Sequence, residues 1–147
     1  MFRHILIPTD GSAVSAKAVK AGVAFAKEIG ARVTGYCALE PAYAQIYGEG
    51  YMISGKSINQ VEKRARQVGE RYVAGIGKAA KAAGVPFQGH VSKADSPYAG
   101  IVSAATQKHC DLIFMASHGR RGIAGLIMGS VTHKVLTHTR VPVLVHR

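Results

Sequence analysis

The chain has few cysteines and no long apolar run, and both absences narrow the class of protein. Its two cysteines, Cys37 and Cys110, are too few for a disulfide scaffold and lack the spacing of metal ligands, so we expect buried, reduced thiols. No stretch approaches the roughly 18 consecutive apolar residues of a membrane helix, which argues against a membrane-spanning protein. The first residues lead directly into a short apolar segment that ends at Pro8. We therefore expect no secretory signal and a cytoplasmic location.

Acidic residues are also scarce. Eight Asp and Glu stand against 19 Lys and Arg, which gives a formal net charge of +11. Such an excess favours anionic partners through long-range attraction. The basic residues are scattered, however, without the dense run or the interleaved aromatics that mark a nucleic-acid surface. A solvated basic exterior is therefore the preferred interpretation, and a nucleic-acid partner is not expected.

Two familiar nucleotide motifs and the usual metal motifs are missing as well. No Gly-Lys-Ser/Thr follows the glycines in the last third of the chain, and no G-x-G-x-x-G follows the first apolar run. P-loop hydrolysis and NAD chemistry therefore lack their usual signatures. The seven histidines include no His-x3-His pair and no Cys/His cluster of ligand spacing, so no protein-held metal site is predicted.

What the chain does contain is a regular alternation of short apolar runs and longer amphipathic segments. Strands are predicted at 4–8, 31–39, 85–91, 111–115 and 141–146, and helices at 12–29, 57–83, 96–108 and 131–139. This alternation predicts one α/β domain with a parallel sheet covered by helices on both faces. The segment 40–56 contains three tyrosines and three glycines and is predicted to be a mobile loop.

A glycine-rich stretch, 116–130, follows the fourth predicted strand. Its glycines allow main-chain N–H groups to approach a ligand without obstruction by Cβ. Ser130 is predicted as the N-cap of the last helix, whose free amides would face an anion. The stretch is therefore interpreted as a binding site for phosphate; its glycines are Gly119, Gly122, Gly125 and Gly129.

The loop after the first strand, 8–12, is expected to meet the glycine-rich stretch. Ligands of open parallel sheets bind beyond the carboxyl ends of the strands, where the strand order reverses. Thr9 and Asp10 would supply polar groups there for an adenine edge, a ribose or a hydrated divalent ion. Taken alone, Asp10 also fits ordinary helix capping, and the glycines also fit tight packing.

Three blocks of sequence, in this order and spacing, carry a resemblance that covers essentially the whole chain. They are ILIPTDGS at 5–12, DLIFMASHGRRG at 111–122, and GSVTHKV at 129–135 leading to VPVLV at 141–145. Together they resemble the universal stress protein family. The resemblance implies one universal stress protein domain over 1–147. It also implies an open, Rossmann-like, five-stranded parallel sheet in the order 3-2-1-4-5, similar to the adenine nucleotide alpha hydrolases.

The nucleotide-binding branch of that family has a G-x2-G-x9-G-[ST] signature, which this chain matches at Gly119, Gly129 and Ser130. Ala116 stands at the first glycine position, where its methyl group is expected to weaken phosphate or ribose contact. Carried over position by position, the resemblance implies an adenine side bordered by Pro8, Thr9, Asp10 and Ala38. It implies a ribose and phosphate side bordered by Met115, Ala116, Gly119, Gly129, Ser130, Val131 and Thr132.

The resemblance implies a stress-response regulatory protein that binds ATP or AMP without a committed chemical step. Magnesium carried by the nucleotide would lie near Asp10. A homodimer would form by pairing of the last strand, 141–146, across a two-fold axis. Arg120 and Arg121 are placed either to contact phosphates or to face solvent, and His118 is expected to support the loop by hydrogen bonding.

Two other functions remain open. The first is a dimeric interaction module of the same fold that binds no nucleotide, which Ala116 favours. The second is a slow ATPase or phosphotransferase that uses Asp10 to hold a metal ion. The sequence offers no clear general base near the glycines for that chemistry.

Overall fold

The predicted alternation of strands and helices is confirmed in the computed structural model, which describes residues 1–41, 55–120, 122 and 128–147. The strands are β1 His4–Pro8, β2 Arg32–Leu39, β3 Phe87–Lys93, β4 Leu112–Ala116 and β5 Val143–His146. The helices of the described residues are α1 Ala13–Ile29, α2 Gly55–Ala83, α3 Pro97–Gln107 and α4 Ser130–His138. The loop predicted at 40–56 lies mostly outside the described residues.

The five strands form one parallel sheet in the order β3-β2-β1-β4-β5, as expected. Every residue of β1 and of β4 is buried, which fits strands that are covered on both faces and read as continuous apolar runs. Side chains of α1 and α2 pack against Ile5, Ile7 and Phe114 on one face. Side chains of α3 and α4 pack against Leu6 and Ile113 on the other, as the alternation of side chains along a strand requires.

The starts of two predicted strands were wrong by two residues, and the third strand also ends two residues later than predicted, at Lys93 rather than at 91. The third strand begins at Phe87 rather than at 85, because Val85 donates its N–H to Ala80 at the end of α2 (2.9 Å) instead of joining the ladder. The fifth begins at Val143 rather than at 141, just after Pro142, which has no N–H to donate. Both strand starts are shifted by a helix end or a proline, and the apolar periodicity of the sequence does not reveal such a shift.

Both cysteines are buried and unpaired, as expected. Burial raises the pKa of the Cys37 thiol to about 11, and burial likewise raises the pKa of Cys110 to about 11. Both groups are therefore protonated near neutral pH and poor nucleophiles. In the parts of the chain that the structure describes, no helix is both long and apolar enough to cross a membrane.

Candidate functional site

The neighbouring strands β1 and β4 separate at their carboxyl ends, and the gap between these two strand ends is called the crevice. These neighbouring strands pair only as far as Leu6 and Ile113. Beyond that point β1 stays paired with β2 up to Pro8, while β4 stays paired with β5 up to Ala116. The two central strands therefore separate where the strand order reverses, which is where ligands bind in open parallel sheets.

The loop after β1 is wound tightly by its own hydrogen bonds. The N–H of Thr9 donates to the carbonyl of Tyr36 at 2.8 Å, which continues the line of β2. The Thr9 hydroxyl accepts the N–H of Gly11 at 3.1 Å, and Oδ1 of Asp10 accepts the N–H of Ser12 at 3.0 Å. The backbone is thereby turned sharply from β1 into α1, with the Asp10 side chain at the turn.

Gly11 allows this turn to pack closely on α2. Its φ of +77° lies in the left-handed region, and a Cβ at this position would be 2.2 Å from Cζ of Tyr72. Tyr72 lies within the helix predicted at 57–83, but its contact with the loop was not predicted from the sequence. The Asp-Gly pair was the available signal for a positive φ, but it does not reveal which side chain lies beneath the turn.

The glycine-rich stretch meets the first loop at the Asp10 carboxylate. A Cβ on Gly119 would lie 2.6 Å from Oδ2 of Asp10, and the N–H of Arg120 donates to the same oxygen. Burial raises the pKa of Asp10, but hydrogen bonds from Ser12 and from the Arg120 N–H together outweigh it and lower the pKa below its usual value. Asp10 is therefore an ionised group at the mouth of the crevice.

The amino end of α4 presents main-chain donors to the same region. The prediction of Ser130 as N-cap was wrong, because the N-cap is Gly129 and Ser130 is the first helical residue. Gly129 donates its N–H to the Ser117 carbonyl at 2.7 Å and has no side chain to cap the helix. The first hydrogen bond of the helix runs from His133 N–H to the Gly129 carbonyl at 3.0 Å. The N–H groups of residues 130–132 thus have no acceptor within the helix and suit an anion.

Thr132 fixes this helix end to the end of β4. Its side chain is 2% exposed, and its hydroxyl donates to the carbonyls of Ala116 (3.0 Å) and Ser117 (3.2 Å). The hydroxyl is therefore engaged within the protein, and Thr132 can offer a ligand its main-chain N–H. Ala116 itself is buried at the end of β4.

The remaining expected site residues differ in what they present. Pro8 is buried at the end of β1, and Ala38 is half-buried near the end of β2. The side chain of Met115 packs into the apolar cluster under α3, and the residue is paired with Val145 of β5. Val131 is half-buried in the first turn of α4. Arg121 and Gly125 lie outside the described residues.

His118 has the supporting role expected of it. Its Nδ1 and the Ser117 hydroxyl are hydrogen-bonded at 2.9 Å, and a Cβ on Gly129 would lie 3.2 Å from its Cα. The ring carbon Cδ2 would be 3.8 Å from the same Cβ, so the imidazole lies beside the start of α4. Over the described ranges, no three His, Cys, Asp or Glu side chains are grouped so that they could hold a metal ion.

Arg120 makes contacts that were not predicted from the sequence. Its guanidinium donates to the main-chain carbonyl of Asp10 and to the Tyr72 hydroxyl, the latter at 3.2 Å. It also lies over the Tyr72 ring, 5.9 Å from the ring centre. Arg120 thus connects the glycine-rich stretch, the first loop and α2.

The chain is similar to known proteins in both sequence and fold. The universal stress protein family matches over residues 1–147. Universal stress protein MJ0531 of Methanocaldococcus jannaschii is 30% identical over 147 residues, which cover 99% of this chain and 82% of that protein. Protein MJ0577, of known structure, superimposes with a TM-score of 0.83 at 24% identity, covering 99% of this chain and 95% of the other.

Two further solved structures share the fold. A universal stress protein in complex with cAMP gives a TM-score of 0.65 at 24% identity, covering 99% of this chain and 97% of the other. The universal stress protein from Archaeoglobus fulgidus in complex with dAMP gives 0.63 at 15% identity, covering 100% and 98%. The family match over the full length, together with these relatives, shows that the chain belongs to the universal stress protein family.

Proposed function

We propose that the chain is a regulatory protein that binds an adenine nucleotide, ATP or AMP, in the crevice between β1 and β4. One observation carries this proposal: α4 begins without a side-chain cap or an acceptor within the helix for the N–H groups of residues 130–132, and Thr132 bonds this helix end to the end of β4, beside the crevice. Two relatives of the same fold are described as complexes with cAMP and dAMP, which supports an adenine nucleotide as the ligand class.

The two sides of the crevice suit the two ends of such a ligand. Ala38 is half-buried and would offer a small apolar surface to a flat ring, while Pro8 is buried and would shape the adenine side from within the fold. The ionised carboxylate of Asp10 would accept hydrogen bonds from ribose hydroxyls or hold a water on nucleotide-bound Mg²⁺. Gly129, which has no side chain, would let the main chain approach the phosphates. The amino end of α4 would receive the phosphate oxygens.

The electrostatics of Asp10 argue against a chemical step. It is the only carboxylate among the described residues of the two loops, and its pKa is lowered by the hydrogen bonds it accepts. An effective general base has a pKa near the working pH, so this carboxylate is too weakly basic for that role. We therefore favour a binding and signalling protein over a slow ATPase.

We further infer that the chain works as a homodimer through β5 and in the cytoplasm. β5 is an edge strand whose four residues are all half-buried, and such an edge needs a partner or protection. The cytoplasm is inferred because its reducing conditions suit two unpaired thiols.

Calorimetric titration of the purified wild-type chain with ATP, AMP and adenosine tests the proposed ligand class. Saturable binding of one mole of ATP per chain is expected. Absence of saturable binding at millimolar ATP would overturn the proposal and favour the interaction module. Release of inorganic phosphate above the level of an Asp10→Ala variant would instead support the ATPase.

A further inference from the structure

Arg120 is the one described side chain that joins both loops of the crevice to α2, and its binding partners there are uncharged. The guanidinium donates to a main-chain carbonyl, that of Asp10, and to the Tyr72 hydroxyl. The carboxylate of Asp10 is occupied by main-chain N–H groups of Ser12 and Arg120, not by the guanidinium. Within the described ranges the ion pair found is Lys93 with Glu62 at 2.6 Å, so the charge of Arg120 is not neutralised by a salt bridge.

Uncharged acceptors hold a guanidinium less strongly than a phosphate does. Hydrogen bonds between ionised partners are roughly twice as strong as neutral ones, and the planar guanidinium matches two phosphate oxygens at once. The contacts of Arg120 are therefore the kind that a phosphorylated ligand displaces. Adenosine, which has no charge to offer, leaves them in place.

Arg120 also lies close to the donors of α4. A Cβ on Gly129, the N-cap of that helix, would be 3.2 Å from Cα of His118. Arg120 follows His118 by two residues, and two residues span at most about 7 Å. Cα of Arg120 therefore lies within about 10 Å of the start of α4, and its long side chain extends from there.

We propose that Arg120 determines specificity for phosphorylated adenine ligands, by exchanging the Asp10 carbonyl and the Tyr72 hydroxyl for phosphate oxygens when such a ligand binds. This inference rests on the proposed function. The phosphate would be held from two sides, by the N–H groups of α4 and by the guanidinium. Tyr72 acts as the competing acceptor, which keeps Arg120 on α2 until phosphate arrives.

The test compares ATP and adenosine affinities in three variants. Arg120→Gln removes the charge and keeps a side-chain donor, so ATP affinity is expected to fall about tenfold while adenosine affinity stays within about twofold. Tyr72→Phe keeps the ring beneath Gly11 and removes the competing hydroxyl, so ATP affinity is expected to rise about two- to fivefold, with adenosine unchanged. Arg32→Gln is the matched control, because it removes an exposed charge at the opposite end of the sheet.

The results distinguish a phosphate-binding role of Arg120 from a purely structural one. A selective loss for ATP in Arg120→Gln, with the opposite change in Tyr72→Phe, supports the proposal. Equal changes for ATP and adenosine in both variants show that Arg120 only shapes the loops, which overturns it while leaving the proposed function intact. A wild-type chain that binds no adenine ligand overturns both. Urea unfolding of each variant confirms that it is folded during the titrations.

Discussion

At the scale of single residues, His4 is the histidine that folding buries most deeply. It is 5% exposed at the start of β1, and its Nε2 lies 2.7 Å from the Thr34 hydroxyl. Burial lowers the pKa of His4 below its usual value, and the positive charge of Arg32 adds to this. The Asp111 carboxylate and the His109 carbonyl act in the opposite direction but do not compensate. Near neutral pH the folded protein therefore holds His4 in its neutral form.

A pH dependence of stability follows from this burial. Below about pH 6.5 the unfolded chain binds a proton at His4 more readily than the folded chain does. The free energy of unfolding of the wild type therefore falls as the pH is lowered. This single group contributes at most about 1.4 kcal/mol per pH unit. In urea titrations, the free energy of unfolding of the wild type is expected to fall relative to that of His4→Gln as the pH is lowered from 7.5 to 5.5. A constant difference across that range would contradict the assigned burial effect.

At the scale of residues, the site was only partly predictable from the sequence. Asp10 and Gly119 were placed at the crevice by their positions after strands, because a parallel sheet gathers those loops at one edge. Their direct contact was not predicted, nor were the contacts of Arg120 with Tyr72. Those depend on the distance between a loop and a helix that are far apart in sequence, and neither periodicity nor motif spacing encodes that distance.

At the scale of elements, three serines precede or begin helices and have three different roles. Ser12 caps α1, and its hydroxyl accepts the N–H of Ser15 at 3.2 Å. Ser96 is the N-cap of α3 but makes no side-chain capping bond, while Ser130 is the first residue of α4. Residue type indicates that a helix begins nearby, but the backbone angles at the terminus decide whether the hydroxyl reaches an N–H.

Replacing the two N-cap serines separates these roles. Ser12→Ala is expected to lower the free energy of unfolding by about 1 kcal/mol, because one N–H of α1 loses its acceptor. Ser96→Ala is the matched control, and its cost is expected to be no more than a few tenths of that, since no capping bond is lost. Equal effects of the two substitutions, measured by urea unfolding, would show that the capping bond of α1 does not stabilise the fold.

At the scale of the whole molecule, β5 is an edge strand whose outer side pairs with no other strand of the described residues, and the dimer is proposed to form there. The N–H of Ile113 donates to the Pro142 carbonyl at 2.9 Å, so main-chain groups of every second residue point at β4. Val143 and Val145 therefore direct theirs away from the sheet. The sequence predicts a strand here. The register of pairing with β4 decides which of its main-chain groups point away from the sheet.

A proline at one of these positions tests the dimer. Val145→Pro removes an outward N–H without removing a bond to β4, so a folded monomer is expected in light scattering. Val91→Pro is the matched control on the opposite edge, where the donation of Val33 N–H to the Pro86 carbonyl again sets the alternation. A dimer that survives Val145→Pro would place the interface elsewhere.

The central claim is that phosphate binds at the uncapped amino end of α4, and one comparison tests it most directly. A Cβ at Gly129 would be 3.2 Å from both the Ser117 carbonyl oxygen and Cα of His118, whereas a Cβ at the exposed Gly75 of α2 would meet nothing within 4 Å. Calorimetric titration with ATP is expected to show binding by Gly75→Val equal to wild type. For Gly129→Val, a loss of at least about tenfold is expected, with unchanged circular dichroism. Equal ATP affinity in the two folded variants would contradict the claim.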